Sequence, residues 1–368
     1  MAQTITYSPA YTLVPTYECF NRCDYCNFRR DPGQDQWLDL ARAGQILVSL
    51  QDQGVTEILI LSGEVHPHSP RRETWITRIE QLCQLALDLG FFPHTNAGIL
   101  KFGEMERLKQ VNVSLGLMVE QSTNLSVHRH APSKDPDLRL EQLAWAGELK
   151  IPFTTGLLLG IGETEADWGE SLEAIASLHQ QWGHIQEVIL QPYNPGASET
   201  YHGSGLTPTQ MITAVRLARA ILPAEITIQI PPNLIQDPAT LLTCLASGAG
   251  DLGGIVPRDE VNPSYDHPSL RTLTGLLNSA GWQLAPRLPL YPHHDSWLSP
   301  KLQQRVRAWR WEQRGVRKEH NIFSLPTSYS PLPTPHFLLP TSYSPLLSKP
   351  QPLIHRCQPL IIPHIAGK

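Results

Sequence analysis

Strand-like runs alternate with stretches of helical length along most of this chain, and that alternation limits its fold more than any other feature. The strand-like runs are Tyr11–Glu18, Thr56–Gly63, Phe92–Asn96, Asn112–Glu120, Pro152–Gly160, Ile185–Tyr193, Ile226–Pro231 and Leu252–Pro257. Between them lie amphipathic helical patterns. Thr164 and Asp167 form a capping box, after which Trp168, Leu172, Ile175, Leu178 and Trp182 fall on one helical face. Thr207 followed by Pro208 marks a second helix start, with proline at the first helical position. Eight strands alternating with helices predict a parallel (β/α)8 barrel of the TIM type, with an open doubly wound sheet as the alternative.

Composition sets the limits of that domain. Of 368 residues, 41% are hydrophobic and 17% charged, so the chain can bury a sizeable core. A net charge of −5 argues against nucleic acid as a partner. No apolar run of about 18 residues is present, so no membrane partner is expected. The polar start Met1–Ala10 lacks a secretory pattern, and a cytoplasmic location is expected. The barrel is expected over 1–298 and a charged helix over 299–321. The octapeptide LPTSYSPL occurs at Leu325–Leu332 and again at Leu339–Leu346, within a proline-rich tail over 322–368 that reads as disordered.

Cys19, Cys23 and Cys26 stand as C-x3-C-x2-C, directly after the first expected strand. Three thiolates on one loop suit zinc or an iron–sulfur cluster. Zinc would need a fourth ligand, and no histidine lies at finger-like spacing. Three ligands on a cubane leave one iron open, which points to catalysis. A structural metal-binding loop is the non-enzymatic alternative.

The segment Cys19-Phe-Asn-Arg-Cys23-Asp-Tyr25-Cys26 resembles the signature loop of the radical S-adenosylmethionine superfamily. The resemblance implies a full or partial β/α barrel and a [4Fe–4S] cluster on the three cysteines. It also implies S-adenosylmethionine bound at the open iron and cleaved to a 5′-deoxyadenosyl radical by an external electron donor. Ser62-Gly63-Glu64 resembles the family's Gly-Gly-Glu motif, which holds the methionine ammonium; its first glycine is serine here. Gly156 to Glu163 resembles the segment that packs against adenine, and it makes Gly160 and Glu163 cofactor contacts by implication. Glu120 and Arg139 correspond in position to an acid on the ribose hydroxyls and an arginine on the methionine carboxylate.

Further segments narrow the resemblance, among them Leu61-Ser-Gly-Glu-Val-His-Pro67, Pro93-His-Thr-Asn96, His128-Arg-His-Ala-Pro132 and Gly253 to Pro263. Together they are similar to the small-subunit type of deazariboflavin-forming synthases. That likeness implies ring closure of a hydroxybenzyl–ribityliminouracil adduct with loss of ammonia, a lyase reaction of deazaflavin coenzyme biosynthesis. A partner radical subunit would supply the adduct. The alternatives within the superfamily are that tyrosine-consuming subunit itself or another biotin-synthase-like enzyme. A substrate with a phenol, a uracil-like edge and a polyol needs a few directed polar groups among apolar walls. Asn96, Gln191, Tyr193 and Asn194 at strand ends are the candidate contacts, and His66 or His94 the candidate acid–base, titrating near neutrality.

Overall fold

A computed structural model describes residues 3–319. The strands are β1 (Thr4–Leu13), β2 (Glu57–Leu61), β3 (Phe92–Asn96), β4 (Ser114–Gly116), β5 (Phe153–Leu159), β6 (Ile185–Pro192), β7 (Thr227–Gln229), β8 (Asp251–Ile255) and β9 (Gln283–Pro286). All pairings are parallel, and β2 to β8 follow in chain order before β1, which pairs back with β2. The sheet is therefore a closed (β/α)8 barrel, with helices α1 (Leu40–Ser49), α2 (Arg72–Asp88), α3 (Phe102–Lys109), α4 (Pro136–Glu148), α5 (Glu165–Trp182), α6 (Pro208–Ile221), α7 (Pro238–Ala246) and α8 (Leu270–Ser279) following the strands. A last helix, α9 (Pro300–Glu319), buries Leu302 and Val306. One compact unit spans residues 1–315. The duplicated octapeptide and the proline-rich tail lie outside the described residues.

Local chemistry explains the elements. The capping box at Thr164 and Asp167 forms, and Gly183 ends α5 in the left-handed conformation at φ +66°. Thr207 caps α6, with Pro208 in its first turn. Asp39, Asp135, Asp237 and Ser269 cap four more helices with side-chain oxygens.

Several strands are shorter than the sequence pattern, β4 most so at Ser114–Gly116, which leaves Glu120 in the loop beyond it, and two further differences bear on the site. β1 starts seven residues earlier than expected, at Thr4, because Pro9 is tolerated beside a register shift between Thr6 and Ser8. Residues 14–18 are consequently a loop, and Cys19 stands six residues beyond the strand's last residue, Leu13. β9 was not expected. It pairs with Thr4–Tyr7 of β1, whereas β2 pairs with Ala10–Leu13, so the two divide the length of β1 between them.

Register orders the inward-facing side chains into layers. Glu57, Leu59 and Leu61 follow one another up β2, and His94 and Asn96 stand beside Leu59 and Leu61 on β3. Glu187, Ile189 and Gln191 climb β6 in the same way. The interior holds a cavity of about 190 Å³. Arg287, just past β9, reaches into it, donating to Asp251 from Nε and Nη2 at 2.6 and 2.7 Å and to Glu187 at 2.7 Å. The apolar core lies in the shell between strands and helices, where Ile58, Ile60, Trp75, Ile79, Leu82 and Phe153 are fully buried.

His184, immediately before β6, is fully buried, and burial pushes its pKa down to about 3. The unfolded chain, with histidine near its ordinary 6.5, therefore binds more protons than the folded one between those values. Stability is greatest above pH 6.5 and falls as pH drops through that window. Between pH 7 and pH 5, His184 is expected to account for about 2 kcal/mol of lost stability, and His184→Leu to remove that share. Urea unfolding of both forms at the two pH values measures it; equal pH dependence would refute it.

Candidate active site

The cysteine loop is fixed by backbone hydrogen bonds to several elements at the C-terminal end of the barrel. Phe20 N donates to Glu64 O at 3.1 Å, Arg22 N to His130 O at 2.8 Å and Asp24 N to Val127 O at 3.0 Å. Asp24 O in turn accepts from Thr200 and Tyr201 N at 2.8 and 2.9 Å. Gly63 is required for this approach, because a Cβ there would lie 2.2 Å from Glu18 O.

Cys19, Cys23 and Cys26 line one cavity of about 220 Å³ together with Tyr25, Ser62, Gly63, Glu64, Glu120 and Arg139. Burial pushes the Cys19 thiol up, and the Cys23 thiol up to about 12. Tyr25 shares a 3.1 Å hydrogen bond with His128 Nε2. The Ser62 hydroxyl accepts from Trp75 Nε1 at 3.0 Å and donates to Gly63 O at 2.9 Å, so the serine in the Gly-Gly-Glu-like motif is tied into the wall.

A buried charge cluster forms the far side. Arg139, 1% exposed, lies 3.7 Å from Glu64 and 3.8 Å from Glu120, and donates to the carbonyls of Met118 and Ser133. Lys134 pairs with Glu120 and also lines the cavity. Burial alone would raise the Glu120 carboxyl, but Lys134 and Arg139 hold it below the usual range. Glu120 itself adopts φ +66°, a strained backbone for a residue with a Cβ. Lys134 has no motif around it, and the sequence reading missed it.

The remaining expected residues separate into two groups. Asn96 and Gln191 line both this cavity and the interior one, and Tyr193 and Asn194 line this one. Tyr193 donates to Glu199 at 2.7 Å, and Asn194 to Leu234 O at 3.1 Å. Gly160 and Glu163 border neither cavity. The Glu163 carboxylate instead caps its own turn, accepting from Gly160 N, from Ile161 N at 2.8 Å and from Trp168 Nε1 at 2.9 Å. The two histidines also part company. His66 is exposed, edge-on to Phe20 at 4.9 Å, and borders neither cavity. His94 lines the interior cavity, buried, and its Nδ1 lies 2.7 Å from Ser114 Oγ. The Ser114 hydroxyl gives its hydrogen to Pro289 O, so His94 must donate from Nδ1, leaving Nε2 as an acceptor. Burial and then Arg287 push His94 down to about 3, so it does not titrate near neutrality.

The Radical SAM superfamily matches residues 13–175, a span that includes the cysteine loop and both acids of the cluster. The 7,8-didemethyl-8-hydroxy-5-deazariboflavin synthase of Trichormus variabilis is 62% identical over 308 residues, which is 83% of this chain and 91% of that protein. The chain belongs to this synthase family. The synthase of Trichodesmium erythraeum is 58% identical over 313 residues, 84% of this chain and 98% of the relative. In fold, the chain is similar to the FeFe-hydrogenase maturase HydG of Carboxydothermus hydrogenoformans, with TM-score 0.66 and 18% identity over 86% of this chain and 79% of that one. Methylornithine synthase (PylB) matches at TM-score 0.59 and 15% identity, over 76% and 83% of the two chains.

Membership of the radical SAM superfamily implies an iron–sulfur cluster and S-adenosylmethionine, and the residues present fit them. The three thiols share one cavity wall, and burial favours the neutral form of Cys19 and Cys23 unless a metal stabilises the thiolates. Among the described residues no three His, Cys, Asp or Glu side chains are grouped as around a single ion. An iron–sulfur cluster, which holds more than one iron, does not require that grouping.

The loops after β2 and β3 are fastened by one buried pair. Arg72 donates to Glu104 at 2.9 and 2.6 Å, to Val65 O at 2.6 Å and to Ile99 O at 2.7 Å, while Ile99 N donates to Glu64 at 3.3 Å. Glu104→Ala, which leaves that guanidinium buried without its carboxylate, is expected to cost about 3–5 kcal/mol in chemical denaturation. A loss below about 1 kcal/mol would show that the pair does not fasten these loops.

Proposed function

We propose that this chain closes the deazaflavin ring system, acting as a radical SAM lyase on a hydroxybenzyl–ribityliminouracil adduct and releasing ammonia. The observation that carries this reading is the junction of the two cavities. Leu61, Asn96, Met118, Gln191 and Val261 line both, so a substrate in the barrel interior meets the cysteine-bearing cavity across one layer of side chains. The high identity to the synthase family over most of the chain supports the choice of substrate.

In this reading Cys19, Cys23 and Cys26 hold a [4Fe–4S] cluster. Glu64, Glu120, Arg139, Tyr25 and the backbone around Ser62 and Gly63 surround S-adenosylmethionine. Gly160 and Glu163 shape the turn behind its cavity. When bound, cluster and S-adenosylmethionine supply a 5′-deoxyadenosyl radical that takes hydrogen from the adduct. The chain's own residues do the rest. Asn96 and Gln191 offer amide donors and acceptors to the uracil-like edge, at the level where the cavities join. His94 presents neutral Nε2 to the interior and can hold a hydrogen bond from the substrate without charging. Tyr193 and Asn194 close the wall beside the cysteine loop. The adduct would come from a partner radical subunit, and the electron from an external donor.

Anaerobic protein with reconstituted cluster, reductant, S-adenosylmethionine and the adduct is expected to yield 5′-deoxyadenosine together with a fluorescent deazaflavin. Cys23→Ala is expected to lose both products while keeping its circular dichroism. Absence of 5′-deoxyadenosine with the unsubstituted protein would overturn the radical reading. Turnover of tyrosine with 5-amino-6-ribitylaminouracil, and none of the adduct, would instead assign the partner subunit's reaction.

A further inference from the structure

A (β/α)8 barrel normally fills its interior with layers of branched apolar side chains. Here the inward positions Ala10, Thr12, Gly116, Thr154 and Gly254 carry small side chains or none and border a cavity of about 190 Å³. Gly116 cannot be enlarged, because a Cβ there would stand 2.8 Å from His94 Nε2. The space is therefore built around the histidine.

The groups facing this space are polar and largely desolvated. Glu57, 7% exposed, lines the lowest layer and makes no ion pair among the described residues. His94, 8% exposed, stands one layer higher on the neighbouring strand with Nε2 free to accept. Glu187 faces them from β6, held by Arg287 at 2.7 Å and Tyr291 at 3.2 Å. Buried polar groups of this kind cost stability unless a partner satisfies them.

The chemistry of the missing partner follows from the set. Glu187 and Asp251 pair with the guanidinium of Arg287 while Glu57 has no ion-pair partner among the described residues, an excess of carboxylates that disfavours an anion such as a phosphate. No three acidic or imidazole groups are arranged around a metal ion among the described residues. Glu57, His94, Thr154 and Glu187 face the cavity from four different strands, whereas a planar heterocycle presents its donors and acceptors in one plane. A flexible neutral chain of hydroxyls, each both donor and acceptor, can meet them one by one. The amides Asn96 and Gln191, higher on β3 and β6, match a planar edge instead.

We propose that the barrel floor formed by Glu57, His94, Thr154 and Glu187 is the subsite for the ribityl chain, so that the polyol points away from the cysteine loop and the ring to be closed lies at the level of Asn96, Met118 and Gln191. This assignment rests on the substrate reading given above. It makes the floor the element that measures the polyol and sets the depth at which the reacting carbons sit.

The test compares the ribityl adduct with an analogue carrying a hydroxyl-free pentyl chain. The unsubstituted enzyme is expected to favour the ribityl adduct by about ten- to a hundredfold in kcat/KM, chiefly through KM. In Glu57→Gln, and in the isosteric Thr154→Val, that preference is expected to shrink by several-fold to about tenfold. Because the preference is read within each variant, a general loss of activity does not mimic the effect. Equal efficiency of the two adducts with the unsubstituted enzyme overturns the assignment alone. A preference that both variants retain in full does the same. No deazaflavin-type product from either adduct overturns the substrate reading, and this assignment with it.

Discussion

The buried guanidinium of Arg287 is the constraint around which the barrel is arranged. It comes from the segment after β9, forks onto Asp251 at the start of β8 and reaches Glu187 on β6. The side chain thus joins strands that are not neighbours, and it occupies the level where a barrel of this class usually carries apolar layers. Desolvation penalties make such a network poor evidence for stability by itself. Its consequence is geometric: β9 is drawn along the lower half of β1, and the space above the network stays open. The stability that an apolar interior would provide must come from the outer shell, where Trp75, Ile79, Leu82 and their neighbours pack helices onto strands.

Above that floor the molecule separates two chambers by one layer of side chains. Leu61, Met118 and Val261 are apolar, while Asn96 and Gln191 are amides, so the boundary is both a barrier to water and a place to orient a planar group. The upper chamber has its own charge logic. Glu64 and Glu120 are matched by Arg139 and Lys134, four groups of net zero formal charge of which all but the half-buried Lys134 are buried. A zwitterionic amino-acid end, with one ammonium and one carboxylate, can exchange partners with this cluster without leaving an unpaired charge. The strained backbone of Glu120 is held by its bridge to Leu157 on β5, which fixes the acid at the rim.

The parts of this arrangement that were legible in the sequence are those with a local signature. Capping boxes, the apolar face of α5, the β3 run Phe92–Asn96 and the cysteine spacing each depend on neighbours in the chain. Interior polarity does not. Glu57 and Glu187 occupy strand positions whose alternation could equally face solvent, and nothing near Arg287 in sequence tells that it returns to the barrel floor. Lys134 escaped for the same reason, since its partner Glu120 is fourteen residues away across a turn. Glu163 shows what a motif leaves out: its carboxylate also accepts from two backbone N–H groups of its own turn and from the Trp168 indole on α5, contacts that the motif does not display. β1 begins at Thr4 rather than Tyr11 because its first half alternates with Ser8 and Pro9, and a register shift beside the proline accommodates its missing donor.

The state of His94 decides what kind of ligand the interior can accept. A histidine titrating near neutrality would add positive charge to a chamber already holding Arg287, and would suit an anion. Burial and Arg287 instead keep the ring neutral, and Ser114 fixes its tautomer by spending its own hydrogen on Pro289 O. Burial also raises the carboxyls of Glu57 and Glu187, favouring their neutral forms. The interior therefore offers hydrogen-bonding groups around a neutral histidine, an environment that gains more from a neutral, hydrogen-bonding ligand than from an ion. That character follows from desolvation, the same force that requires the small residues around His94 to leave room for a partner.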